Sequence, residues 1–280
     1  MGSVNDWHEV QYKPSLTVKN SAAVAPGWRA RSAAARERLL PLGDFKYGPH
    51  PRENIDLFRA ANARGTVVFI HGGYWQLFSK LEFSFVAEGF VGQGYSVALV
   101  NYPLAPDLPL LHIRHSVQRA FANLWRHILS EDERRVIIVT GHSAGGHMAA
   151  LHLATPWREF NLPENPIAGV VSLSGVFDVA PLIHTTMNKA LGLTVESAAP
   201  LNLLTAEPRT AAPLLLAVGG DEPEEFHRQS RDLAAAWKQL QPNVLSLPGI
   251  NHYTILDQLA DPAGILNREV IAIANWAGRR

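Results

Sequence analysis

Six short aliphatic runs decide what this chain can fold into: 66–71 (TVVFIH), 95–101 (YSVALVN), 136–140 (VIIVT), 167–173 (IAGVVSL), 213–218 (PLLLAV) and 243–247 (NVLSL). They are rich in β-branched residues and do not alternate polar with apolar, the pattern of strands buried on both faces. Between them lie helical patterns, clearest at 224–240, where Phe226, Leu233, Trp237 and Leu240 recur at helical spacing while Arg228, Arg231 and Lys238 fall elsewhere. Strand, helix, strand repeats predict an α/β fold, a mostly parallel doubly wound sheet flanked by helices. Upstream, 44–47 and 55–59 bracket the turn-rich GPHPREN and predict an antiparallel pair on the sheet edge, behind a helix at 28–40. No linker, charge run or repeat divides the 280 residues, which predicts a single domain over 1–280 with an N-terminal arm at about 1–43. The stretch 177–208 is poor in strand signal and follows a strand, so it is expected to form a small cap over the sheet's carboxyl edge, where such sheets bind ligands.

The chemistry gathers at the ends of those strands. Gly141-His142-Ser143-Ala144-Gly145 matches G-x-S-x-G directly after VIIVT and before an alanine-rich helical run, the setting of a nucleophilic serine on a tight strand-to-helix turn. Glycines two before and two after the serine keep side chains out of the neighbouring elements. His71-Gly72-Gly73-Tyr74-Trp75 ends the strand TVVFI and predicts an oxyanion loop, the donors being amides near Gly73 and Tyr74 together with that of Ala144; losing one such donor typically costs about 2.7–4 kcal/mol. The order serine, acid, histidine then nominates His252, in Asn251-His252-Tyr253, as general base. Either Asp221 or Glu222, after PLLLAV, can orient it. His142, His147 and His152 fit packing or capping, and His71 fits a brace for the glycine loop. Tyr74 and Trp75 are candidate substrate contacts that would narrow the acyl side to formyl or acetyl.

Charge and composition exclude other classes. Lysine plus arginine (25) equals aspartate plus glutamate (25), so no global field draws the chain to nucleic acid or an anionic membrane. With no cysteine there is no disulfide and no thiolate nucleophile or ligand, and the histidines lack H-E-x-x-H, so neither a metal nor a cofactor is expected. No spanning helix or secretory pattern is present, which reads as a soluble, cytoplasmic chain acting on a small ester or amide. Exposed apolar cap surface could support a homodimer.

With these pieces assembled, the chain resembles an α/β-hydrolase. HGGYW with GHSAGGH resembles the arylformamidase (kynurenine formamidase) branch near the hormone-sensitive-lipase-like esterases, from about Asp44 to the C-terminus. NYPLAP at 101–106, SGVFD at 174–178, EFHRQS at 225–230 and NHY at 251–253 extend the resemblance. It implies hydrolysis of N-formyl-kynurenine to kynurenine and formate. It also implies Glu222 as the acid, since the family's acid stands three residues after a Val-Gly glycine and three before Glu-Phe; Asp221 stays the alternative. A short-chain carboxylesterase or an acyltransferase would share every catalytic residue, and a non-catalytic ligand receptor on the same fold is the reading of another class.

Overall fold

A computed structural model describes residues 6–279. Its eight strands form one sheet in the order β1-β2-β4-β3-β5-β6-β7-β8: β1 (Leu42–Lys46), β2 (Asn54–Phe58), β3 (Thr66–Ile70), β4 (Ser96–Val100), β5 (Ile137–His142), β6 (Gly169–Leu173), β7 (Leu214–Gly219) and β8 (Asn243–Leu247). β1 pairs antiparallel with β2, and β2 with β4; every other pairing is parallel. The edge hairpin and the parallel sheet thus stand where the sequence places them.

The five strands from β3 to β7 are buried residue by residue, which is why they read as unbroken aliphatic runs. Successive side chains serve opposite cores. Val68, Ile70, Ala98, Val100 and Val139 face one layer, packed by Ile113, Met148 and Phe226 from helices Leu110–Asn123, Ala144–Leu151 and Glu224–Ala236. Val67, Phe69, Val97, Leu99 and Ile138 face the other, packed by Trp28 and Ala35 of helix Val24–Leu39, the 3₁₀ segment Lys80–Gly89, and helices Ile255–Ala260 and Ile265–Ala277. One expectation needs correcting. β8 is the outer edge, not a strand buried on both faces: Asn243, Val244 and Ser246 are exposed and only Leu247 is buried, because no strand pairs with its outer side.

The strand order sets where a site can form. The chain leaves β3 for β4 on one side and then crosses back to β5 on the other, so the loops after β3 and β5 part at the carboxyl edge and leave a crevice. Both motifs singled out in the sequence, HGGYW and GHSAG, sit at that crevice. Segment 177–208 breaks into short helices Ala180–His184, Asn188–Leu191 and Val195–Ala198.

Candidate active site

Ser143 follows β5 with φ 57° and ψ −119°, a strained conformation for a residue with a side chain, and caps helix Ala144–Leu151. The glycines around it are forced by contact. A Cβ on Gly141 would lie 2.2 Å from the Gly145 carbonyl oxygen, and one on Gly145 would lie 2.0 Å from that of Ile70. Ala144, as first residue of the helix, has an N–H without an intrahelical acceptor.

The loop after β3 is equally constrained. Gly73 has φ 109°, and a Cβ there would meet the Leu77 carbonyl oxygen at 2.3 Å, so only glycine fits. Tyr74 and Trp75 continue in the left-handed region, with φ 49° and 56°. Gly73 accepts from the amides of Gln76 and Leu77, which closes the loop on itself. His71 braces it: its ring stacks on Tyr102 at 4.2 Å, its Nδ1 donates to the Gly72 carbonyl at 2.7 Å, and Tyr102 Oη donates to the His71 carbonyl.

After β7 and β8 come the acid and the histidine. His252 Nδ1 donates to Glu222 Oε2 at 2.6 Å, and both side chains are buried. The bond fixes the tautomer, leaving Nε2 as the lone-pair nitrogen. Glu222 Oε1 in turn accepts from Ser174 Oγ at 2.6 Å and from the Gly219 amide at 2.7 Å. Asp221 is exposed and accepts only a long bond from the Gly249 amide, 3.3 Å. Of the two acids, Glu222 is therefore the one brought to the histidine. Ser174, which steadies that carboxylate, escaped the sequence reading although it opens the SGVFD motif; its one visible signal is its place at the end of β6, level with the other site loops.

Ser143, His252, Gly73 and Tyr74 line one cavity of about 440 Å³. Trp75 does not line it. Its side chain is fully buried against the edge of His147, so the expectation that it touches substrate is corrected: a residue one step along this loop points to the opposite side, into the core. The walls also differ from expectation. Segment 177–208 contributes Thr186 and Met187, whereas the N-terminal arm supplies Lys13, Pro14, Ser15, Ser21, Val24, Ala25 and Trp28. Tyr12 ties the arm down. It is buried, its hydroxyl donates to Glu225, and its carbonyl accepts from the Tyr74 hydroxyl. Trp28 then lies 5.9 Å from the Tyr253 ring and 5.1 Å from Phe83, giving the cavity an aromatic wall. Nothing in the arm's irregular sequence announces this, because the contacts are all with distant residues.

The remaining histidines near the serine are structural. His142 Nε2 donates to the His252 carbonyl at 2.7 Å, His147 Nε2 to that of Leu201, and His152 Nδ1 to that of Met148. Burial pulls His71, His147 and His152 down from 6.5 to about 4, and burial with the neighbouring His252 holds His142 well below its ordinary value. Unfolding frees these rings to take a proton near pH 6.5, so between there and about pH 4 the unfolded chain binds more protons than the folded one. Stability is therefore full above pH 6.5 and falls on acidification, by up to about 1.4 kcal/mol per pH unit for each ring. Urea unfolding midpoints should drop steeply from about pH 7 to about pH 5; flat midpoints across that range would contradict the neutral, buried assignment. Among the described residues no group of three or more histidine or carboxylate side chains is placed to hold a metal ion, and no helix is long and apolar enough to cross a membrane.

A strained serine at a strand-to-helix turn, a buried histidine held by a carboxylate and a glycine loop at one sheet edge define an α/β-hydrolase. The chain matches the BD-FAE family over residues 55–223 and belongs to it, in the branch that holds arylformamidases and hormone-sensitive-lipase-like esterases. It is similar to the kynurenine formamidase of Danio rerio, 29% identical over 280 residues that cover 93% of each chain. It is also 30% identical to that of Salmo salar, over 81% of this chain and 80% of the other. Among solved structures it is similar to a provisionally assigned thioesterase from Silicibacter sp. TM1040, with a TM-score of 0.86 and 29% identity over 94% of this chain and 98% of that one.

Proposed function

We propose that this chain is a serine hydrolase that removes a formyl-type acyl group from an aromatic amine, N-formyl-kynurenine being the model substrate. Ser143 Oγ attacks the formamide carbon as His252 Nε2 takes its proton, and the oxyanion is met by the amides of Gly73, Tyr74 and Ala144. His252 then gives that proton to the amine nitrogen, the C–N bond breaks and the formyl group stays on Ser143 as an ester. Water attacks the ester, its proton passing to His252 and on to Ser143 Oγ, and formate leaves. Glu222 keeps the imidazole in the working tautomer and stabilises the imidazolium formed in each half-reaction.

The observation that carries this reading is the cavity itself: one aromatic-walled space holds Ser143 and His252 together with Trp28, Phe78, Phe83 and Tyr253, a setting matched to an aryl leaving group. Likeness to kynurenine formamidases over nearly the whole chain supports it. A short-chain ester is the second reading, supported by a 25% identity to the esterase LipC of Mycobacterium tuberculosis over 82% of this chain, and it uses the same residues. Formyl, acetyl and butyryl derivatives of one arylamine separate acyl preference from leaving-group effects. The formyl compound should give the highest kcat/KM and the butyryl the lowest, by roughly tenfold or more overall; a rise with acyl length would move the assignment to the ester reading.

A further inference from the structure

An aromatic amine that carries an amino-acid group brings a carboxylate into the cavity, and the sequence nominates no partner for it. The walls do. Among the described residues, and apart from the two histidines His142 and His252, Lys13 is the one lining side chain with an ionisable group of positive charge, and no carboxylate lines the cavity. The lysine is held in place: its Nζ donates to Glu9 Oε1 at 2.9 Å and to Thr186 Oγ1 at 3.2 Å. Glu9 also accepts from the Thr186 amide, at 2.8 Å, and from the Thr186 hydroxyl. Burial works to raise the Glu9 carboxyl, but the bonds from Thr186 and Lys13 outweigh it and hold it below its ordinary value, so Glu9 stays ionised. The arm and segment 177–208 therefore meet at a fixed ammonium.

An ammonium has three protons. Glu9 and Thr186 take two, the lysine side chain is 37% exposed, and Lys13 is among the residues that line the cavity. We propose that Lys13 is a specificity-determining residue whose third proton receives a carboxylate on the substrate's leaving group, so that the site prefers aryl substrates bearing an anion over their neutral counterparts. Glu9 orients the lysine, Thr186 ties it to segment 177–208, and neither takes part in the contact. Because the lysine is partly solvated, the discrimination is modest, roughly tenfold, and weakens with salt. The identity of the natural anion rests on the formamidase reading; the charge preference does not.

The test uses phenyl acetate and 3-acetoxybenzoate, an ester pair differing by one carboxylate, with wild type, Lys13→Gln, Lys13→Glu, Lys13→Arg and Thr186→Val. Comparing each variant with wild type cancels the intrinsic reactivities of the two esters. The ratio of kcat/KM for the anionic over the neutral ester should fall about tenfold in Lys13→Gln, through KM, fall further in Lys13→Glu, and be largely restored in Lys13→Arg. Thr186→Val removes the hydroxyl's bonds to Lys13 and Glu9 yet keeps the cation and its Glu9 anchor, so it should hold the ratio near wild type. A ratio that does not move in Lys13→Gln and Lys13→Glu overturns the proposal, as does an equal fall in Thr186→Val, which would make the lysine only a fastener of the arm. If wild type hydrolyses both esters with the lysine-dependent preference but leaves N-formyl-kynurenine untouched, the formamidase reading fails and the Lys13 assignment stands.

Discussion

Ser143→Ala is expected to lower kcat by about 10⁴ to 10⁶ on every amide and ester the wild type hydrolyses, while the protein remains folded. The size of the loss follows from what serine supplies. Without Oγ no acyl-enzyme can form, and His252 and Glu222 have no proton to move; the oxyanion amides and the cavity remain, and they alone leave a residual rate above that in water. Retained folding is expected because the strain at this position belongs to the backbone, φ 57° and ψ −119°, and the flanking Gly141 and Gly145 already make the close contacts. Circular dichroism and an unchanged urea midpoint, read beside the kinetics, separate lost chemistry from lost structure. Turnover near that of wild type would place the nucleophile elsewhere.

The second large effect falls on the acid. Glu222→Gln is nearly isosteric, and its carbonyl oxygen can still accept from Ser174 and Gly219, as Oε1 does now. The amide group then faces His252 Nδ1. Two donors cannot share a hydrogen bond, so the imidazole is driven toward the wrong tautomer and the imidazolium loses its counter-charge. A fall in kcat of roughly 10⁴ is expected, with KM changed far less. Asp221→Asn is the control for the alternative acid: that carboxylate is exposed and holds one long bond to the Gly249 amide, so a change within about twofold is expected. Steady-state kinetics on both variants decide the matter. The reverse ranking would exchange the two residues' roles.

The contrast between these neighbouring acids marks where sequence reasoning stops. Strands β3 to β7 were legible because burial on both faces demands unbroken aliphatic runs, and the order of the loops that follow them was legible with them. β8 was misjudged because NVLSL has the composition of a core strand, while edge position depends on what lies beside it in space. Residues 221 and 222 differ by one step along a turn, and only the turn closed by the Glu222 amide on the Gly219 carbonyl decides which carboxylate points inward. Tyr74 and Trp75 repeat the lesson: consecutive left-handed residues send one aromatic ring to the cavity and the next into the core. The arm was the least legible part. Lys13 and Trp28 reach the cavity through Tyr12's bonds to residues more than two hundred positions away and to the glycine loop, contacts that leave no local pattern.

The arm's position also bears on specificity. A cavity built only from sheet-edge loops would admit many acyl compounds, whereas the arm adds Trp28 and Lys13 to its walls, as the proposed aryl leaving group with a charged end requires. On the proposed reading, chemistry and selectivity come from different parts of the chain: the former from loops fixed by the central strands, the latter from a segment laid across them.

The most direct measurement is steady-state hydrolysis of N-formyl-kynurenine beside p-nitrophenyl acetate and butyrate by the purified protein, with kynurenine and formate quantified. A kcat/KM on the formamide well above those on both esters, abolished in Ser143→Ala, is the expected result. Ready ester hydrolysis with negligible release of kynurenine would contradict it, leaving a carboxylesterase that shares the fold and the catalytic residues but not the substrate.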